Sequence, residues 1–280
     1  MQSKVGILGD PISHSISPVF QQAAFNNLGI KAVYEPWLVS PDKLEEKINE
    51  LRNDDYFGAN VTIPHKVKAI NYIDEVDHWA YKIGSINTIV NRKGKLLGFN
   101  TDGFGFLKAL QRDANYNPKE KNVLIIGAGG AARAAVHALV KEGASVVVSN
   151  RTIEKAFDIA KEFESEDLVH VVDRFGKSFQ EALDNASLIV NCTSMGMMGG
   201  QFQNHSPLNS SQIRENVLVY DMVYNPIETP FLKQAKQSGA TTISGLSMLV
   251  FQGSESFKLW TGKTPSIPVM LEAAKDALGL

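Results

Sequence analysis

Four short segments toward the amino-terminal end place polar side chains where an α/β core would take apolar ones. Gly58-Ala-Asn-Val-Thr-Ile-Pro-His-Lys66 reads as a strand followed by a cation. Strand alternation sends Ala59, Val61 and Ile63 to one face and Asn60 and Thr62 to the other, although a strand between helices is usually apolar on both. Lys66 follows on the carboxyl side, where open α/β sheets bind ligands. The alternative is a strand edge with satisfied polar groups and a surface lysine. In Ser13-His-Ser-Ile-Ser-Pro18, Ser15 and Ser17 precede a helix, and free helix N–H groups with two hydroxyls suit a carboxylate. Ser17 before Pro18 is equally an ordinary N-cap, and one turn can serve both purposes. Asp102 in Asn100-Thr-Asp-Gly103 has the same double reading, as N-cap or as working acid. Asn87, in Gly84-Ser-Ile-Asn-Thr88, is an amide within a strand. Together Ser15, Ser17, Asn60, Thr62, Asn87 and Asp102 supply neutral donors and acceptors with one acid, and Lys66 adds the cation. Such a set suits a hydroxylated carboxylic acid.

A second constellation belongs to a nucleotide. Asn122-Val-Leu-Ile-Ile126 runs into Gly127-x-Gly129-x-x-Ala132, which opens a helix, and a second strand ends at Asn150-Arg151-Thr152. This is the dinucleotide-binding pattern: Gly127 for the tight turn, Gly129 for close approach of backbone to pyrophosphate, and a small Ala132 for helix–strand packing. An NAD site usually places an acid about 20 residues after the glycines to hold the ribose 2′-hydroxyl. Here the strand end carries Arg151, whose guanidinium suits a 2′-phosphate, and Lys155 lies four residues on, one helical turn away. NADP is favoured over NAD. Taken singly, Arg151 is also readable as a solvated surface charge.

The elements that must position these residues alternate strand and helix throughout, which signals α/β architecture. The pattern predicts strands at Lys4–Gly9, Val33–Val39 and Gly58–Ile63, and helices from Pro18, from Pro41 and near Val67–Ile73. Ser85–Asn91 and Leu96–Asn100, separated by Arg92-Lys-Gly94, read as an antiparallel hairpin. Residues 103 to 114 look helical. The polar, proline-bearing segment Asn115–Asn122 suggests a change of domain nearby. Strand-like runs at Val169–Val172, Leu188–Cys192 and Val217–Asp221 then extend the dinucleotide sheet, and helices near Ser247–Thr261 and Pro268–Leu278 close the chain.

Composition narrows the partners. At 280 residues and 44% apolar content the chain can bury two domain cores. A net charge of −2, from 28 basic and 30 acidic residues, offers no positive field for nucleic acid or an anionic membrane, so small molecules are expected. Residues 122–140, the least charged long stretch, are interrupted by Arg133, His137 and glycines, which excludes a membrane span. Val5–Leu8 is too short for a signal-peptide core, and a cytoplasmic address is expected. Cys192 is the single cysteine and the six histidines do not cluster, so neither disulfide nor metal is expected.

Over essentially its whole length the chain resembles the shikimate dehydrogenase family. The resemblance rests on Ser15-Ile-Ser-Pro18, Gly58–Lys66, Asn100-Thr-Asp102, Gly127-Ala-Gly-Gly-Ala131, Asn150-Arg-Thr152, Asp221-Met-Val-Tyr-Asn-Pro226 and Gly245-Leu-Ser-Met-Leu-Val-Phe-Gln252. It implies reversible NADPH-dependent reduction of 3-dehydroshikimate to shikimate in aromatic amino-acid and chorismate biosynthesis, by a monomer or homodimer. Carried over residue by residue, it assigns Ser15 and Ser17 to the substrate carboxylate, Asn60, Thr62, Asn87, Tyr224 and Gln252 to its surroundings, and Lys66 and Asp102 to catalysis. On the cofactor side it assigns Gly127, Ala128, Gly129, Gly130 and Ala131, then Asn150, Arg151, Thr152 and Lys155, with Met222 and Gly245 near the nicotinamide. It further implies two α/β domains with the active site in the cleft between them. The first is a substrate domain with a mainly parallel sheet, residues 1–102 plus 246–280, and the second a Rossmann NADP-binding domain, residues 103–245. Ser85, Cys192 and Phe20-Gln-Gln22 depart from residues common in the family, at positions assigned no chemistry.

Oxidising a secondary alcohol removes hydride from carbon and a proton from oxygen, so a positioned base is needed, and Lys66 is the candidate. Desolvation in a closed cleft works against a charged amine and a neighbouring carboxylate works for it, so a free base and an ion-paired alkoxide stabiliser both fit the sequence. The nearest rival is a quinate/shikimate dehydrogenase of broader substrate and NAD(P) use. A non-catalytic NADP-binding regulator is the other, and its mark would be loss of the lysine or the aspartate, both of which this chain keeps.

Overall fold

Strands β1 (Ser3–Gly9), β2 (Ala32–Leu38) and β3 (Tyr56–Val61) alternate with helices α1 (Ser17–Asn27) and α2 (Leu44–Glu50), because parallel neighbours need a crossover between them. The short pair β4 (Glu75–Val76) and α3 (His78–Ile83) follows, then β5 (Thr88–Arg92), β6 (Lys95–Phe99) and α4 (Asp102–Ala114). The computed structural model describes residues 3–163 and 167–280. The chain divides into two compact units, Met1–Gly105 with Leu249–Leu280, and Phe106–Met248.

The first unit holds a six-stranded sheet in the order β2-β1-β3-β5-β6-β4. β1 runs parallel to β2 and β3, whereas β5 is antiparallel to both β3 and β6. One face buries Leu8, Ala59, Val61 and Ile89 against Leu44 and Ile48 of α2. Helices α9 (Leu246–Thr261) and α10 (Ile267–Asp276) close the chain; Phe257 meets Phe25 of α1 at a ring separation of 4.7 Å, and α10 packs on α1.

The second unit strings together β7 (Asn122–Ile126), α5 (Gly130–Lys141), β8 (Ser145–Ser149), α6 (Ile153–Ala160), β9 (Val169–Val171), α7 (Lys177–Asn185), β10 (Leu188–Asn191), β11 (Leu218–Asp221), α8 (Pro230–Gln237) and β12 (Thr241–Ile243). All six strands are parallel, in the order β12-β11-β10-β7-β8-β9, which is the doubly wound Rossmann order. Val123–Ile126 are buried on both faces, as a central parallel strand requires. Leu124, Ile126, Ile189 and Val219 pack against Phe179 and Phe231 on one side of the sheet. The two α/β domains expected from the pattern are therefore present. Among the described residues no helix is long and apolar enough to cross a membrane.

Several local expectations are corrected. β4, α3 and β12 are too short to register in a periodicity; α3 is fixed by Asp77, whose carboxylate accepts from Trp79 N and Ala80 N, and by left-handed Gly84. Lys68–Tyr72 is a 3₁₀ helix, and α2 starts at Leu44 after a turn rather than at Pro41. The hairpin closes on two residues, since Arg92 pairs with Lys95 and only Lys93 and Gly94 lie between, both at positive φ. β3 stops at Val61, so Ile63 leaves the buried face of Ala59 and Val61 and is 65% exposed. Asn87 stands just ahead of β5 rather than within it. Asn115–Asn122 is a connection inside the second unit, and the chain changes unit in the first turn of α4, at Gly105/Phe106. A polar segment with a proline marks a helix end here, not a domain end.

Candidate active site

Antiparallel pairing in the first unit gathers the polar segments at one sheet edge. β1 and β3 end there, β5 begins there, with Asn60 opposite Thr88, and β6 ends there, with Thr88 opposite Phe99. The loop after β1, the Thr62–Lys66 turn, Asn87 and Asn100–Asp102 therefore emerge side by side. Backbone bonds join them: Asp10 N donates to Ile63 O, Val61 N to Asn87 O, and Asn87 N to Phe99 O.

Lys66 is held from behind. His65, buried, donates Nε2–H to the Val39 carbonyl at 2.6 Å, and Ile86 N donates to the Lys66 carbonyl at 2.9 Å. The Lys66 side chain thus leaves a pinned turn and reaches Asp102, with Nζ 2.5 Å from Oδ2. The two side chains are 18% and 6% exposed, so water screens the pair weakly and one end of the lysine stays open. The other carboxylate oxygen, Oδ1, accepts from Asn87 Nδ2 at 2.7 Å. Asp102 is the first helical residue of α4, not its cap: its N–H donates to Asn100 Oδ1, and Asn100 is anchored by donating to the Ser85 carbonyl and hydroxyl. With the helix start served by Asn100, the acid is released for side-chain chemistry.

Asn87 has a fixed amide orientation. Thr101 N donates to Oδ1 at 2.8 Å, which turns Nδ2 toward Asp102 and toward Gln252 Oε1 at 3.1 Å. Gln252 comes from α9, so the carboxyl-terminal segment completes the cluster. Asn60 is buried, its Oδ1 accepting from Tyr34 and its Nδ2 facing Asn87 O, Thr88 Oγ1 and Ser256 Oγ. Burial pushes the Tyr34 phenol well above its usual range, which keeps it a donor. Thr62 is half-buried at the turn. Ser17 is buried and is the first residue of α1, Ile16 being the cap; the N-cap reading of Ser17 is replaced by Ser15 Oγ, which accepts from Ser17 N at 3.3 Å. Thr88, Thr101 and Ser256 were not singled out from sequence. Ser256 lies one helical turn after Gln252, the spacing that could have revealed it.

The second unit builds a different kind of site. Gly127 has φ +118°, and a Cβ there would come within 3.0 Å of the Cys192 carbonyl carbon, so only glycine turns at this point, between β7 and β10. Gly129 caps α5 without a side-chain bond, and apart from its chain neighbours nothing lies within 4 Å of where a Cβ would begin, so there is open space beside the uncapped start of the helix. Ala132 is fully buried beneath. Past β8, Asn150 Nδ2 donates to the Thr152 carbonyl at 2.7 Å, Thr152 caps α6, and Arg151 and Lys155 are exposed. Arg151 precedes the cap, so it and Lys155 are not a helical-turn pair as the spacing implied. No acid occupies the strand end.

After β11, Asp221 is fully buried: Oδ1 accepts from Asn191 Nδ2 at 2.9 Å and Val223 N at 3.0 Å, and Oδ2 from Thr229 at 2.6 Å. Burial outweighs these bonds and raises its carboxyl to about 6. Asp221 thereby fixes the turn carrying half-buried Met222 and Tyr224. Gly245 lies under this turn, where a Cβ would come 2.1 Å from the Met222 carbonyl oxygen. Cys192 is half-buried nearby, and desolvation drives its thiol upward, away from reactivity.

Comparison with known proteins agrees with this division. Residues 7–89 match the model of the shikimate dehydrogenase substrate binding domain, residues 109–222 that of shikimate / quinate 5-dehydrogenase, and residues 245–275 that of the shikimate 5′-dehydrogenase C-terminal domain. Shikimate dehydrogenase (NADP(+)) of Methanocaldococcus jannaschii is 39% identical over 98% of this chain and 96% of its own. That of Bacillus cereus is 39% identical over the whole of both chains. Shikimate 5-dehydrogenase of Thermus thermophilus, solved with NADP(H) and shikimate, superposes with a TM-score of 0.88 at 37% identity, covering 99% of this chain and all of the other. On these matches, which span both units, the chain belongs to the shikimate dehydrogenase family.

Proposed function

We propose that this chain interconverts 3-dehydroshikimate and shikimate with NADP(H), on the route to chorismate and the aromatic amino acids, in the cytoplasm. The observation that carries the reading is the Lys66–Asp102 pair at 2.5 Å, oriented by Asn87 at a sheet edge. Its support from relatives is the Thermus thermophilus enzyme solved with NADP(H) and shikimate. Ser15 and Ser17 take the substrate carboxylate, and Lys66, Asn87, Asp102 and Gln252 take its ring hydroxyls, with Asn60, Thr62 and Tyr224 around them.

The second unit's residues fit a dinucleotide. Gly127 to Ala131 with the uncapped start of α5 would hold the pyrophosphate, and the space above Gly129 admits it. Asn150, Arg151, Thr152 and Lys155 would hold the 2′-phosphate, and Met222 and Gly245 the nicotinamide end. When bound, NADP⁺ supplies the hydride acceptor. Lys66 Nζ, as the neutral amine, takes the proton from the alcohol oxygen to become the ammonium, and returns it in the reverse direction. Asp102 accepts one hydrogen of Nζ, fixing the direction in which the rest of the amine faces substrate.

Reduction of NADP⁺ followed by absorbance at about 340 nm tests this, with shikimate and quinate each paired with NADP⁺ and NAD⁺. Turnover should be greatest with shikimate and NADP⁺. No NADPH formation from shikimate across a pH series would overturn the reading. Equal or better turnover with NAD⁺ would overturn the cofactor assignment, and quinate turned over as well as shikimate would replace it with the broader quinate/shikimate activity.

A further inference from the structure

Behind Asn87 lies a buried polar cluster that no substrate-facing role accounts for. Thr88 and Ser256 are both fully buried, and their hydroxyl oxygens are 2.7 Å apart, although 168 residues separate them. Thr88 Oγ1 donates to Asn87 Oδ1 at 3.0 Å. Ser256 Oγ also meets Thr101 Oγ1 at 3.2 Å and the Gln252 carbonyl at 3.0 Å, and Asn60 Nδ2 donates to both hydroxyls. Every group that touches Asn87 Oδ1 (Thr88 Oγ1, Thr101 N and Thr101 Oγ1) is itself part of this cluster or adjoins it.

We propose that Thr88 and Ser256 are positioning residues for the reaction: their hydroxyls lock the Asn87 amide so that its NH₂ holds Asp102 in line with Lys66. The inference rests on the function proposed above. Two observations favour positioning over proton conduction. The path from Tyr34 to Lys66 passes through the amides of Asn60 and Asn87, which donate hydrogen bonds without relaying a proton. And Asn87 Oδ1 carries no proton, so the Thr88 hydroxyl 3.0 Å away meets it only as a donor, acting on the amide's oxygen while the working contacts are made by its nitrogen.

Removing one hydroxyl should act through geometry. Val at position 88 keeps the shape and deletes the hydroxyl, leaving Asn87 Oδ1, Asn60 Nδ2 and Ser256 Oγ each one partner short. Thr88→Val should lower kcat with shikimate about 10-fold to 100-fold while KM for NADP⁺ stays within about twofold. Thr88→Ser, which keeps the hydroxyl, should restore most of the loss, and Ser256→Ala should give a smaller fall of the same pattern. Wild-type activity in Thr88→Val overturns the proposal, as does a loss that Thr88→Ser fails to rescue or that raises both KM values alike, the mark of general disruption. If the unaltered chain neither turns over nor binds shikimate, the functional reading itself falls and takes this proposal with it.

Discussion

In the first unit Lys66, Asp102 and Asn87 are side chains locked by other side chains, whereas the glycine-rich end of the second unit's site is backbone: a left-handed Gly127, a bare Gly129 and the uncapped start of α5. The two solutions follow from what each must recognise. A pyrophosphate is a diffuse dianion that helix N–H groups satisfy without side chains. A ring with several hydroxyls and one reacting carbon needs donors and acceptors in fixed directions, and those come only from side chains whose own alternatives are used up. The first unit should therefore lose chemistry when a side chain is removed, with binding less affected. The second should lose affinity or discrimination.

The largest effect should come from Lys66. Lys66→Met should lower kcat by roughly 10² to 10⁴ with a smaller change in KM for shikimate. Near-normal kcat would break the contrast, since the first unit would then be only a binding surface. The thermal midpoint of the variant should be measured alongside, because Asp102 is left buried with Asn87 as its remaining side-chain donor.

Asp221 gives the second unit one buried side-chain anchor, and its test is pH. Its carboxyl is raised from 3.8 to about 6 because burial disfavours the charge. The folded state then holds a proton that the unfolded chain has released, so this group's contribution to stability is complete below pH 3.8 and is lost as pH rises toward about 6. The loss is on the order of 3 kcal/mol. Asp221→Asn abolishes that titration, so the stability of wild type minus that of the variant, from urea unfolding at several pH values, should fall across this window and level off above it. A difference that does not vary with pH would show that Asp221 is charged throughout and that its three donors outweigh its burial.

How far the sequence revealed all this depends on how local each signal is. The β7–α5–β8 turn and the missing acid at Asn150–Thr152 lie within one stretch of chain and were legible, as was Lys66 on the carboxyl side of a strand. Thr88 and Ser256 were not, because each is a small polar residue among other polar ones, Asn87 beside Thr88 and Ser254 and Glu255 beside Ser256, and their meaning lies in a contact across 168 residues. The N-cap readings of Ser17 and Asp102 failed for a related reason. Residue type fits a cap at either position, but Ile16 takes the place of one and Asn100 serves the backbone of the other, freeing both side chains. Composition alone drew the change of domain toward Asn115–Asn122, because that segment reads like a linker while α4 continues unbroken through the point where the chain changes unit.

Arg151 offers the finest test of the contrast, since it stands where the second unit's site depends on side chains rather than backbone for specificity. It is exposed, sits between β8 and the cap of α6, and has Lys155 as its only basic neighbour in that stretch. An exposed guanidinium is worth little in a protein ion pair, but two hydrogen bonds to a phosphate are charge-assisted and directional. Arg151→Ala should therefore raise KM for NADP⁺ about 10-fold and leave KM for NAD⁺ and for shikimate within about twofold, narrowing the preference while kcat holds. The effect should weaken as salt is raised, because the contact is open to solvent. If KM for NAD⁺ rose in parallel, Arg151 would be supporting the adenosine pocket as a whole, and discrimination between the two nucleotides would pass to Lys155 and the absent acid.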